Sequence, residues 1–294
     1  MARPKVGLAL GGGGARGYAH IGVLRVLQEE EVPIDIVVGT SMGAIIGGAY
    51  AAGIEMAKLE RILSNLDLNR LLRIPQNTFQ EVGMVAGRIA SELFTRTDWR
   101  RVEQKGTKSL CQFFSVFSKG LRFEDLKVKF AVVAADIDSG EEVVIQEGPL
   151  HRAIAASATV PGIHYPIRYG DRFLVDGGII NKLPADVALR LGAEVVIAVE
   201  VSAPLAERVE TSIEVLTQAE MITGRELVRA KLEQVRERLE ERLVLLQPQL
   251  GRISMLSLNQ VQAAAQAGEK EVYLHLPQIK ALLARSSSAR PESR

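Results

Sequence analysis

The sequence predicts an α/β fold, a mainly parallel sheet with helices on its faces. Residues 5–10 (KVGLAL) and 34–39 (IDIVVG) read as short apolar strands, and a helical pattern follows each, at 15–30 and in SMGAIIGGAYAAG. Alternating β-α-β-α order favours parallel pairing, because each helix carries the chain back to the same edge of the sheet. AEVVIAVEV, residues 193–201, is apolar without alternation, as expected of a strand covered on both faces.

The remaining elements follow in order. In the first helix Ala19, Val23, Val26 and Leu27 fall near helical spacing, and Pro33 ends the pattern. Residues 55–66 form an amphipathic helix. Residues 68–122 are mostly helical in pattern, broken by Pro75, Gly83, Gly87 and Gly106, and are expected to form a helical cap insertion over the sheet. Phe113, Phe114, Phe117 and Phe123 cluster there. Core packing of the cap is the expectation for them, and an acyl groove or a bilayer contact is the alternative. Strands at 128–136 and 141–146 are joined by the turn signal DSG. A helix at 149–157, a strand RFLVD and a helix at 183–191 with Pro184 in its first turn complete a domain spanning 1–205. Residues 206–285 are expected as a C-terminal helical extension packing on the core. It holds a charged helix at 212–242, a short strand in VLLQPQL and helical pattern over 257–284. Residues 286–294 lack apolar anchors and are expected to be disordered.

Composition narrows the function classes. The 294 residues carry 36 basic and 35 acidic side chains, net +1, which offers no basic surface for nucleic acid. One cysteine, Cys111, excludes an internal disulfide and any multi-cysteine metal site, and it fits a reducing, cytoplasmic setting. The apolar stretch before the glycines is too short for a signal sequence, and no window reaches the ~18 apolar residues of a membrane span. Peripheral membrane contact and oligomerisation stay open.

The run GGGGARG needs a physical reason, because glycine costs backbone entropy. Gly12, Gly14 and Gly17 fit G-x-G-x-x-G between a strand and a helix, the setting of dinucleotide binding. That chemistry wants an acid at the end of the second strand to hold a ribose. Asp35 stands at its beginning instead, and its end carries Gly39, Thr40 and Ser41. A Walker-type loop needs Lys then Ser or Thr after its last glycine; Tyr18 and Ala19 follow Gly17.

VVGTSMGA contains G-x-S-x-G, with Gly39, Ser41 and Gly43 between a strand and a helix. Here a serine sits on a tight turn that tolerates only small neighbours. A helix-capping serine is the simpler alternative. In a parallel sheet the glycine loop opens on the same edge, so the amides of Gly12, Gly13 and Gly14 could meet an oxygen that becomes negative. Arg16 would add positive charge there, or pair an acid structurally. The serine needs a base. Of the four histidines, His20, His151, His164 and His275, only His275 follows the later acids in α/β-hydrolase order, and it lies in an ordinary helical pattern; His20 and His164 read as structural, with His164 able to border the pocket. Asp176 in RFLVDGG ends a strand, with Gly177 and Gly178 allowing close approach. A plain turn is the alternative.

The set GGGGARG, GTSMG and DGG resembles the patatin-like phospholipases. The longer stretch from GGGGARGYAHIG to GAYAAG, with DGGIINKLPADVALRLGAEVVIAVEV, is similar to the bacterial branch and to the catalytic domain of neuropathy target esterase. The resemblance spans residues 5 to about 203. It implies a three-layer α/β/α patatin-like fold and a Ser–Asp dyad without histidine. Ser41 would be nucleophile and Asp176 base, with Gly12, Gly13, Gly14 and Arg16 as oxyanion site. Gly39 and Gly43 would form the elbow, and Gly177 and Gly178 the base loop. It implies hydrolysis of phospholipid, lysophospholipid or other acyl esters through a covalent acyl-serine, with no metal and no cofactor. Two other readings are a regulatory relative acting through its charged helix and, more remotely, a nucleotide-binding protein.

Overall fold

The computed structural model describes residues 3–66 and 105–284. Most of the expected cap, 68–104, and the tail at 286–294 lie outside them. Eight strands form one sheet: β1 (Val6–Leu10), β2 (Ile36–Thr40), β3 (Lys129–Asp136), β4 (Glu142–Ile145), β5 (Ile167–Tyr169), β6 (Arg172–Asp176), β7 (Val195–Val199) and β8 (Leu243–Leu246). Their order is β5-β6-β3-β2-β1-β7-β8, with β4 also paired to β3. The run β3-β2-β1-β7-β8 is parallel, whereas β4, β5 and β6 pair antiparallel. β1, β2 and β7 are buried along their whole length, as unalternating apolar strands require.

Alternate residues of each strand feed two cores. Leu8, Leu10 and Val37 face one, which is covered by α1 (Ala19–Glu29), α2 (Met42–Ala51), α3 (Met56–Ser64), α4 (Lys105–Phe117), α5 (Leu150–Ser157) and α8 (Val261–Ala284). Ala9, Ile36 and Val38 face the other, under α6 (Ala185–Arg190) and the second half of α7 (Ser212–Leu239). The result is the three-layer α/β/α arrangement, with each fully buried Leu or Ile worth about 1.5–3 kcal/mol. α8 lies on α1 at backbone contact: a Cβ on Gly22 would collide with the Ala265 carbonyl, and one on Gly268 with that of Ala19. Arg25 of α1 pins the contact by pairing with Glu269 of α8 and, at 2.5 Å, with Glu60 of α3. α7 opens on a capping box, in which the Thr211 hydroxyl accepts from the Glu214 amide and the Glu214 carboxylate accepts from the Thr211 amide.

Two local features differ from the sequence expectation. The first helix begins with a tight turn over Gly14–Tyr18 before α1 proper, because the Arg16 amide reaches back to the Gly13 carbonyl. The strand RFLVD runs against its neighbours, returned by a hairpin from β5, which has only three residues and no periodicity to read. Among the described residues no helix is long and apolar enough to cross a membrane.

Candidate active site

Both central motifs meet at the C-terminal edge of the parallel strands, where open α/β sheets carry their sites. Chain direction reverses from β2 into α2 at Ser41, whose φ of 55° and ψ of −121° are unusual for a residue with a side chain. A Cβ on Gly43 would collide with the Leu10 carbonyl, and one on Gly39 would lie 2.5 Å from the Gly43 carbonyl, so both must be glycine for the turn to close. The strained serine is held from behind. Its amide donates to the Ser157 hydroxyl at 2.8 Å, and that hydroxyl donates to the Val133 carbonyl at 2.6 Å.

Asp176 ends β6, opposite Ala134 of β3. The Ser41 hydroxyl donates to its Oδ2 at 2.6 Å, and the Gly178 amide donates to its Oδ1 at 2.7 Å. Burial pushes this carboxyl up from 3.8 to about 6, against the pull of those two hydrogen bonds and of the Lys182 ammonium. Gly177 passes so close to the Val133 carbonyl that no Cβ fits. Asn181 ties the two turns together. Its amide donates to the Gly177 carbonyl at 2.8 Å, and its carbonyl accepts from the Thr40 hydroxyl at 2.9 Å. Its side-chain amide is held by Glu142 and Asp186 at 2.7 and 2.8 Å.

The glycine loop lines the same cavity of about 200 Å³ as Ser41 and Asp176. A Cβ on Gly12 would lie 3.2 Å from that of Ser41, and one on Gly13 would lie 2.7 Å from the Val201 carbonyl. Gly12 donates its amide to the Lys182 carbonyl at 2.9 Å, so it is spent. The amides of Gly13 and Gly14 make no hydrogen bond among the described residues. The cavity walls are mostly apolar: Ile45, Leu110, Phe114, Val160, Ile163 and Leu258 contribute. Phe114 belongs to both expectations for the phenylalanine cluster, being 1% exposed in the core and yet part of this wall.

Arg16 is a correction. Its side chain is buried, with Nε donating to the Val201 carbonyl at 3.0 Å and Nη1 to the Ile253 carbonyl at 2.9 Å, and it does not line the Ser41 cavity. A long cation buried under a loop satisfies carbonyls first, so it serves as an anchor rather than as charge beside the serine. His20 is likewise structural: its ring, held down to about 4 by burial and therefore neutral, donates Nε2–H to the Gly11 carbonyl at 2.8 Å. His164 lines the cavity, while His275 bonds within its own helix. Sequence reasoning missed Ser157 and Asn181; for Ser157 no local motif signals the role, and for Asn181 the only hint is its place just after DGG. Among the described residues no group of three or more His, Cys, Asp or Glu is placed to hold a metal.

An uncharacterized NTE family protein of Mycobacterium bovis is 33% identical over 199 residues, covering 68% of this chain and 49% of that protein. The human patatin-like phospholipase domain-containing protein 6 is 34% identical over 201 residues, 67% of this chain and 13% of its own length. Lysophospholipase NTE1 of Mycosarcoma maydis is 34% identical over 205 residues, 67% of this chain and 10% of its own. The match thus spans about half of the mycobacterial relative and a small part of the other two. A family model described as patatin-like phospholipase matches residues 8–189, which takes in the glycine loop, the serine turn and Asp176. The chain belongs to the patatin-like phospholipase family.

Proposed function

We propose that the protein is a serine acyl-ester hydrolase acting on lipids through a Ser41–Asp176 dyad. The observation that carries this is the 2.6 Å hydrogen bond from a strained, cavity-lining serine to a buried carboxylate. Asp176 Oδ2 takes the Ser41 proton as Oγ attacks the acyl carbonyl carbon. The carbonyl π pair moves onto its oxygen, and the Gly13 and Gly14 amides, unspent in the cavity lining, are the donors assigned to it, with the N-terminus of α2 adding positive potential. Collapse breaks the bond to the leaving alcohol, which departs with the proton from Asp176. Water then gives a proton to Asp176 and attacks the acyl-serine, releasing the carboxylic acid and returning the proton to Ser41. A carboxyl poised near 6 suits both halves of this exchange.

The apolar cavity favours an acyl chain, and the relatives named for phospholipase and lysophospholipase activity support phospholipids or lysophospholipids as its source. The deciding experiment is labelling with a fluorophosphonate, read by intact mass. Wild type should gain one adduct and Ser41→Ala none. An unlabelled wild type would reject the activated serine and favour the regulatory reading.

A further inference from the structure

A second cavity of about 790 Å³ lies beside the Ser41 site, in the size range of small-molecule pockets. It opens between α7 and the segments leaving β7 and β8, again at the C-terminal edge of the sheet. Ile222, Arg225, Arg229, Leu232 and Arg236 of α7 line it, and their spacing of 3, 4, 3 and 4 residues puts all five on one helical face. Aliphatic side chains, Leu205 and Leu250 among them, line it from the loops, and no aromatic residue does among the described residues.

The charges lining it do not cancel. Four arginines meet three glutamates. Arg16, fixed on loop carbonyls, lies in the field of Glu200, and Arg229 pairs with Glu226. That leaves Arg225 and Arg236, exposed and without a hydrogen bond or ion pair among the described residues, against Glu233 alone. A cavity with cationic side chains in excess and aliphatic walls suits a molecule with one anionic head and a hydrocarbon stem. A nucleotide base would want an aromatic stacking surface, which these lining residues lack.

We propose that this cavity binds a single-headed anionic amphiphile, a carboxylate or phosphate monoester on an alkyl stem, with Arg225 and Arg236 on the head and Leu205, Ile222 and Leu232 along the stem. The binding claim stands apart from the hydrolase reading. Only the idea that a released fatty carboxylate is the occupant rests on it.

Calorimetric titration of the full chain tests this, with decanoate and decyl phosphate kept below micelle formation and with decyltrimethylammonium and inorganic phosphate as controls. Both anionic amphiphiles should bind. Arg225→Gln with Arg236→Gln should weaken them about tenfold or more, and the paired Lys replacements should keep binding. Both positions are exposed, so these variants should fold, which circular dichroism checks. Tighter binding of decanoate would identify a fatty carboxylate as the preferred occupant, and tighter binding of decyl phosphate a phospho-lipid head. No binding by either, equal binding of the cationic control, equal binding of inorganic phosphate, or full affinity in the Gln variants would overturn the proposal. The last result would place the amphiphile elsewhere, the Ser41 cavity included.

Discussion

Asp176 stands level with Ser41, two strands away. Thr40 pairs with Val133 in β3, and the next residue of β3, Ala134, pairs with Asp176. β6 runs antiparallel, so it enters beyond that level, with Leu174 opposite Asp136, and runs inward until its last residue stops level with Ser41. Burial there raises the carboxyl, and this fixes a pH dependence. The proposed base works only as carboxylate, so kcat/KM on a short acyl ester should rise with pH to half its maximum near about 6, then level off. Stability should move the opposite way. A folded-state value raised from 3.8 to about 6 means the proton stabilises the fold fully below 3.8, and that contribution is gone above about 6. Asp176→Asn, neutral throughout, should therefore gain Tm over wild type at pH 8, with the gain shrinking toward pH 4. It should still bind substrate, with kcat down about a thousandfold or more. A rate limb centred near pH 4 would mean that burial does not raise this carboxyl, and near-normal turnover in the Asn variant removes Asp176 as base.

The parts legible in the sequence are those whose physics is local. β1, α1, β2 and α2 alternate within the first 51 residues, and the Ser41 turn announces itself through Gly39 and Gly43 at fixed offsets. Asp176 shows itself only through the two glycines after it. What holds these turns in place comes from distant residues: Ser157 is 116 positions from Ser41, and Asn181 is 141 from Thr40. The guanidinium of Arg16 finds its carbonyls 185 and 237 positions away. No spacing rule reaches that far, so the sequence leaves Arg16 between a charge near the serine and a partner for an acid, whereas the fold uses it to hold loop carbonyls.

Ser157→Ala tests the support behind the nucleophile. It strips partners from the Ser41 amide and the Val133 carbonyl, and Ser157 is fully buried, so water does not replace them freely. The expected cost is about 1–3 kcal/mol of stability. The fluorophosphonate labelling rate at Ser41 should fall about tenfold or more, because the strained turn loses the group that fixes it. Unchanged labelling at a lowered Tm would make Ser157 a packing residue only.

Two glycine replacements should act in opposite directions. In Gly43→Ala the new methyl meets the Leu10 carbonyl, a backbone atom that cannot rotate away. Urea denaturation should show a loss of about 3 kcal/mol or more, or no folded protein. Gly224 sits in α7 with nothing within 4 Å of an added Cβ and no positive φ. Gly224→Ala should stabilise by about 0.5–1 kcal/mol through helix propensity alone. An unchanged midpoint for Gly43→Ala would mean that the elbow is looser than this packing requires.

Arg16→Met separates an anchoring arginine from an oxyanion arginine. The side chain holds the Val201 and Ile253 carbonyls, and the Met255 carbonyl just beyond accepts the Ala15 amide, so one cation fixes the loop that carries Gly13 and Gly14. Methionine fills much of the space and donates nothing, leaving buried carbonyls unpaired at a cost of about 2–3 kcal/mol. Tm should drop accordingly. Well below that Tm, the labelling rate at Ser41 should fall by less than about tenfold, whereas loss of a true oxyanion donor costs about 10²–10³. A thousandfold slower reaction with an unshifted Tm would return Arg16 to the reacting oxygen, against its placement on the loop carbonyls.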